Sequence, residues 1–378
     1  MRLYCLLLCT LTSFHVSGQD LFDDSVLHQI RFTGVDTLSL DFSKTEQLVT
    51  VHIDGVRLDS VGFREKGNIS LFHANRKRPF KVKTNRVVRG QKVSGINEFT
   101  LHNSYEDPSL MREKLSYDLA ADLGLLALRT AFAEVYLNEV YWGVYTIVEA
   151  KDELFKRALG DRDADAIESL DLGTMCYRGP NGDDYRADDQ TPLYTLENGD
   201  DARAFERFAD MMDAVNNTSD AQYLDQAGTA LNLDDWFAYQ AFNVYLLNAD
   251  SYLSFYGNQV YGFDSLRQQW QVIPWDFNAS IGLWDTDRMQ ADAFPILPAR
   301  ITNGCVANRV TSVPELREQY LSTLCRLQTD FASADRMDTR ITAYEALIRD
   351  AVQRDWRKDF TNAEFDAALG TGTQQLNF

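Results

Sequence analysis

The first third of the chain is built from short runs in which apolar and polar positions alternate, the period of a half-buried strand. Residues 48–53 and 61–66 form two such runs, separated by Gly55 and closed by Gly67. Residues 79–84 form a third, with Phe80 and Val82 on one face and Lys81 and Lys83 on the other. At residue 107 the period changes. Leu110, Met111, Leu115, Leu119 and Leu123 recur at helical spacing, with Asp107 as the predicted N-cap, Pro108 in the first turn and Gly124 at the end. Residues 131–137 and 140–148 return to strand patterning across a predicted hairpin turn at Asn138–Glu139. Residues 160–200 are acidic and loop-like. Helical stripes follow at about 202–215, 233–247, 314–327 and 339–360, with a strand at 270–275. A mostly β front half and a mostly α rear half define an α+β class. With no linker-like composition between them, the expectation is one bilobal unit, divided into about 19–150 and 151–378.

The first 18 residues carry Arg2, an apolar run over residues 3–11, and small residues at Val16-Ser17-Gly18, the pattern of a cleaved signal peptide. No stretch reaches the roughly 20 apolar residues of a spanning helix. The expected location is therefore secreted, in the secretory-pathway lumen or at the cell surface, with no transmembrane segment. Cys176, Cys305 and Cys325 remain after the leader, too few for a disulfide scaffold. One bridge, for instance Cys305 to Cys325, is compatible with an oxidising compartment. Asn68, Asn216, Asn217 and Asn278 each begin a glycosylation sequon.

Charge sharpens this picture. The chain has 37 Lys and Arg against 56 Asp and Glu, a net charge of −19, which argues against nucleic acid as a partner. Yet residues 57–92 hold eleven basic residues against only Asp59 and Glu65. A basic island in an acidic chain fits either a local anion site, phosphate foremost, or a solvated sheet edge that resists aggregation.

Candidate chemistry lies in the rear half. There is no phosphate-binding glycine loop, no HExxH and no GxSxG elbow. Asp161, Asp163 and Asp165 resemble the start of a calcium loop, but Ala166 and Leu172 stand where that loop needs Gly and Glu. Asp250 directly follows an apolar helix, Asn258 comes next, and Asp276 ends the 270–275 strand with Asn278 two residues on. Carboxylates at element ends beside apolar walls are costly unless they hold a cation or a partner. Protein kinases need an acid to orient the acceptor hydroxyl, then an Asn and an Asp for magnesium, in this chain order. Turn chemistry alone also favours Asp and Asn at such places.

The chain resembles the CotH (spore coat protein H) kinase family, through six motifs in order. These are Val61-Gly-Phe-Arg-Glu-Lys-Gly67, Arg78-Pro-Phe-Lys-Val-Lys83 and Asp107-Pro-Ser-Leu-Met-Arg-Glu-Lys-Leu-Ser-Tyr-Asp118. The others are the hairpin from Val135 to Glu149, the Asp250…Asn258…Ile273-Pro-Trp-Asp276 block, and Pro314-Glu-Leu-Arg-Glu-Gln-Tyr320. The resemblance implies an atypical protein kinase-like bilobal fold. It also implies a serine/threonine kinase that uses ATP and Mg2+ (or Mn2+) on protein substrates. Carried onto this sequence, Asp250 is the catalytic acid-base or a metal ligand, and Asn258 and Asp276 are metal ligands. Lys81 or Lys83 holds the nucleotide phosphates, and Glu149 lies near the nucleotide. Lys66 and Arg112 match motif positions without an assigned role. Asn278 stands where many members have a second Asp, Gly257 where a His is common, and Glu139 where the turn usually has Gly. The amide of Asn278 can ligate a metal but brings no charge, and a glycan there would block the cleft. Two other functions fit the same scaffold: a non-catalytic secreted or adhesive protein, and a metal-dependent phosphohydrolase.

Overall fold

Seven strands close on themselves in the front half of the chain: β1 (Leu27–Thr33), β2 (Gln47–Ile53), β3 (Val56–Glu65), β4 (Phe80–Lys83), β5 (Glu98–His102), β6 (Thr130–Leu137) and β7 (Val140–Glu149). Their order around the barrel is β1-β2-β3-β4-β5-β7-β6, and β1 seals it by running parallel to β6. The computed structural model describes residues 20–72, 76–188, 190–248, 250–252, 258–283 and 305–370. The leader, His73 and Gly257 lie outside the described residues.

Alternation explains the barrel. Ile30 and Phe32 of β1, Phe63 of β3, and Phe80 and Val82 of β4 are fully buried in its interior. Phe63 stacks between Phe32 and Phe80 at centroid distances of 4.6 and 4.7 Å. Lys81 and Lys83 point outward, as the β4 pattern predicts. β1 and β5 were not anticipated, although β1 alternates in the same way. The hairpin turn is where the pattern places it, with Asn138 and Glu139 both left-handed at φ 49° and 64°. That double positive φ is the geometry of a two-residue hairpin. The Asn138 side chain accepts from Gly34 N and Val35 N, and Glu139 pairs with Arg31 at 2.9 Å. These contacts give both turn residues a reason to be other than Gly.

Short α1 (Ile69–Phe72) follows β3, and α2 (Arg112–Leu123) lies between β5 and β6. The N-cap residue of α2 is Met111 and not Asp107. The Asp107 carboxylate accepts from Ser109 N and Oγ and from Arg112 N and Nη1 at 2.9, 2.6, 2.9 and 2.7 Å. Those bonds fold a turn around Pro108, and the helix starts after it. Gly124 ends the helix in the left-handed conformation, φ 91°.

After β7 come α3 (Lys151–Ala158) and a second, four-stranded sheet. The stretch expected to be loop therefore contains β8 (Ala166–Ser169) and β9 (Tyr194–Asn198). Both pair antiparallel within that sheet, which β10 (Gln259–Asp264) and β11 (Gln269–Pro274) complete. Asp165 pairs with the guanidiniums of Arg203 and Arg207 at 2.6 and 2.8 Å. α4 (Asp201–Asn217), α5 (Tyr223–Ala230) and α6 (Leu233–Tyr245) pack on it around Phe208, Trp236 and Trp270. α7 (Arg309–Ser312), α8 (Pro314–Arg326), α9 (Ala334–Arg354) and α10 (Asn362–Leu369) finish the described chain. α9 begins and ends several residues earlier than the stripe at 339–360 suggests. No helix of the described residues is long and apolar enough to cross a membrane.

The disulfide joins Cys176 to Cys305, not Cys305 to Cys325, and Cys325 is exposed on α8 with a free thiol. Cys305 already has its partner in Cys176, with the two Cα atoms 4.9 Å apart. A second tie joins barrel and helices: Lys77 and Asp355, both almost fully buried, pair at 2.7 Å.

Candidate functional site

A cavity of about 360 Å³ opens where the ends of β3 and β5, the start of α2 and the turn after β11 meet. Asp250, Asn258, Asp276 and Asn278 all line it. Local geometry explains the convergence. α6 ends in a left-handed Leu247, φ 47°, and buried Asn248 then folds the chain back. Asn248 donates to Asn243 Oδ1 at 2.8 Å and accepts from Asp250 N at 3.2 Å. Asn258 immediately precedes β10, whose Gln259 faces Pro274 of β11, so Asn258 lies beside the Trp275–Asp276 turn. Its amide donates to the Asp250 carbonyl at 3.2 Å.

α2 organises that turn. Asp276 has a left-handed φ of 59°, a conformation Asp tolerates better than most residues, and its N–H donates to Tyr117 Oη at 3.2 Å. Tyr117 meets Phe277 edge to face at 4.9 Å, and Ser116 Oγ bonds Ser280 Oγ at 2.6 Å. Ser280, the third residue of the Asn278 sequon, is fully buried. The folded chain thus does not present that sequon for glycosylation.

The electrostatics are strained in one direction. Burial, then the negative charge of Asp276, pushes the Asp250 carboxyl up to about 7, while Asn258 opposes the shift. Burial and the charge of Glu113 raise Asp276, against the pull of neighbouring ammonium groups, Lys66 and Lys151. The Asp276 carboxylate has no hydrogen-bond partner among the described residues. Oxygen Oε2 of buried Glu113 is likewise unpartnered among them. Two carboxylates and two amide oxygens around one cavity, with acceptors left over, are a hard-donor set that fits Mg2+ or Mn2+.

The barrel and the first turn of α2 contribute Lys66, His102 and Glu113 to the same cavity wall. His102 Nδ1 bonds Glu113 Oε1 at 2.7 Å, and His102 Nε2 bonds Lys66 Nζ at 2.5 Å. Burial lowers Lys66 to about 8, against the attraction of Asp276 and Glu113.

A second cavity, about 530 Å³, adjoins the first, and Lys66, Gly67, Asn68 and Trp275 belong to both walls. Lys81 and Glu149 line this second cavity, while Lys83 lines neither. Lys81 and Lys83 share one carboxylate, Glu98, at 2.5 and 3.6 Å. Glu149 is enclosed between Arg129 and Arg157 at 2.7 and 2.9 Å. Burial would raise it, but the hydrogen bonds of those two guanidiniums hold it below the usual range. Deeper in the same cavity Lys151 lies 4.2 Å over Trp275 and pairs with Glu168 and Glu197 at 3.0 and 2.9 Å. Of the basic island, Arg57, Lys77, Arg78, Lys81, Lys83 and Arg86 are each paired with a carboxylate. Three carboxylates from outside the island, Glu46, Glu98 and Asp355, thus offset part of its surplus charge.

The four rear residues named from the sequence line one cavity together with Lys66, named there without a role, whereas His102, Glu113 and Asp171 in that cavity and Lys151 in its neighbour were not singled out as site residues. For Glu113 one signal was available. Arg112-Glu113-Lys114 are three consecutive charged residues that all turn out buried. Such a run at the start of a helix calls for partners.

A model of the family described as CotH kinase protein matches residues 63–374. Inner spore coat protein H of Bacillus subtilis (strain 168) is 30% identical over 292 residues, covering 72% of this chain and 73% of that protein. Among solved structures, the Helicobacter pylori proinflammatory kinase CtkA superposes with a TM-score of 0.31 at 12% identity, covering 76% of this chain and 89% of that chain.

Proposed function

The chain belongs to the CotH kinase protein family, a family of atypical protein kinases, and from that premise we propose that it phosphorylates Ser or Thr hydroxyls of proteins in the secretory route. The observation that carries this reading is the single cavity lined by Asp250, Asn258, Asp276 and Asn278 together with Lys66. Asp276, Asn258 and Asn278 would hold a magnesium or manganese ion. When bound, that ion neutralises charge on the phosphate oxygens. Asp250 receives the proton of the acceptor hydroxyl, a role suited to a carboxyl held near 7. The adjoining cavity, with Lys81 and Glu149 in its wall, gives the rest of ATP room. A secretory location is supported by the Cys176–Cys305 bridge, which an oxidising compartment maintains.

The test is transfer from γ-labelled ATP to a mixed protein acceptor, with Mg2+ or Mn2+, by the purified protein. Asp276→Ala should reduce transfer by at least about 10²-fold while the melting temperature stays near wild type. Absence of transfer with either metal, or an Asp276→Ala variant as active as wild type, counts against the reading. Phosphate release without acceptor that outpaces transfer would instead make the chain a phosphohydrolase.

A further inference from the structure

Resting on the kinase reading above, we propose that Lys66, and not Lys81 or Lys83, is the cation that meets the nucleotide's phosphates, with His102 and Glu113 as the positioning residues that aim it. Three observations lead there.

The first is place. Lys66 directly follows β3, and its N–H is anchored to Pro79 O at 3.0 Å. Its side chain belongs to the wall shared by both cavities. A triphosphate reaching from the larger cavity towards the carboxylates of the smaller one has to pass it. Lys81 lines only the larger cavity, and Lys83 lines neither.

The second is unspent charge. Lys81 and Lys83 converge on Glu98, so an incoming phosphate competes with a carboxylate already in contact. The direct polar partner of the Lys66 ammonium among the described residues is a neutral ring nitrogen, His102 Nε2. Asp276 and Glu113 attract it only at longer range.

The third is the support behind it. An ammonium has only hydrogens to offer, so His102 Nε2 is the acceptor and Nδ1 carries the proton that it donates to Glu113. Glu113, 4% exposed, thus fixes the tautomer and orientation of the ring, and the ring fixes the ammonium. Glu113 stands in the first turn of α2 and His102 at the end of β5, so the relay ties the aim of Lys66 to the seating of α2. The ligand atoms of His102, Glu113 and Asp276 lie within 4.8 Å of one another, a spacing that would also suit a metal. Both ring nitrogens are engaged, however, and the cation beside them is the Lys66 ammonium.

The test uses the full chain, ATP or its β,γ-imido analogue with Mg2+, and two readouts: calorimetric Kd and the kcat and KM of transfer. Lys66→Met should lose about 10²-fold in kcat/KM, at least about tenfold more than Lys81→Met. His102→Ala should lose a comparable factor, because a misaimed group costs about as much as an absent one. His102→Gln, whose amide oxygen restores a neutral acceptor, should recover at least about tenfold of that loss. A structural role alone would not separate Gln from Ala at equal melting temperatures. If Lys66→Met does not fold, Lys66→Arg keeps the charge and should retain binding while kcat falls. Wild-type binding by Lys66→Met, equal losses in His102→Ala and His102→Gln, or a larger loss in Lys81→Met each overturn the assignment. So does loss of Mn2+ binding, without nucleotide, in His102→Ala to the extent seen in Asp276→Ala, since the cluster would then be a metal site. A wild-type protein that neither binds nucleotide nor transfers phosphate removes the kinase reading itself, whereas binding that is blind to Lys66 removes only this one.

Discussion

Asp276 and Asp250 face the same cavity, and the charge of Asp276 reinforces burial in holding the Asp250 carboxyl up to about 7. An unfolded Asp titrates near 3.9. Between about pH 4 and 7 the folded chain therefore keeps a proton that the unfolded chain has lost, and stability falls as pH rises through that window. The metal-free protein should be stabilised by Asp250→Asn at pH 8, by on the order of 2 °C or more, and hardly changed at pH 4. Mg2+ affinity of the wild type should rise with pH through about 7, because a cation held in the same cavity is favoured by the ionised Asp250 carboxylate. Calorimetric melting at both pH values checks this. An Asn variant that is less stable at pH 8, or equally shifted at pH 4, would sink it.

The Cys176–Cys305 bridge closes a loop of 129 residues between a segment that carries Asp171 into the cavity wall and the stretch leading to α7. In the chain-entropy description a loop of that size contributes about 4–5 kcal/mol. Cys305→Ser should lower stability by roughly that amount, and Mg2+ binding should weaken with it because Asp171 loses its anchor. Alkylation followed by peptide mapping should label Cys325 without reductant, and Cys176 and Cys305 only after reduction. Early labelling of Cys176, or early protection of Cys325, would contradict the pairing.

Much of this site was legible because its rear half is local in sequence. Asp250, Asn258, Asp276 and Asn278 sit at the ends of one helix and two adjacent strands, where polar residues against apolar walls stand out. The meeting of Lys66, His102 and Glu113 was not legible. Lys66 and His102 are 36 residues apart, and they meet only because β3, β4 and β5 are consecutive in the barrel and α2 docks against its edge. Neither strand pattern nor charge count encodes that meeting. The same limit explains Lys81 and Lys83: alternation gave the face of β4 correctly, but not that Glu98 lies opposite Lys83 on β5. It explains β8 and β9 too, which are short and lie within an acidic stretch, and become strands through pairing with each other and with β10.

The buried pair Lys77–Asp355 joins residues 278 positions apart and clamps the end of α9 to the barrel. Asp355 has further duties. It accepts from Val144 N, Arg357 N and Lys358 N at 3.1 Å each, and a Cβ on Gly143, φ 126°, would overlap its carboxylate. Asp355→Ala leaves Lys77 charged and unpaired in the interior, so about 3–5 kcal/mol of stability should be lost. Replacing both partners by apolar residues, Lys77→Met with Asp355→Leu, should recover part of this by removing the stranded charge. Recovery should stay incomplete because three backbone N–H groups lose their acceptor. Gly143→Ala should also be destabilising, both through its left-handed backbone and through the overlap. In a double-mutant cycle Gly143→Ala should couple to Asp355→Ala, since removing the carboxylate frees the space the methyl needs. Denaturant melts of the four proteins in that cycle measure the coupling. Strict additivity would show that the methyl and the carboxylate do not compete for one space, and a loss below about 1 kcal/mol for Asp355→Ala would show that this clamp does not hold the two halves together.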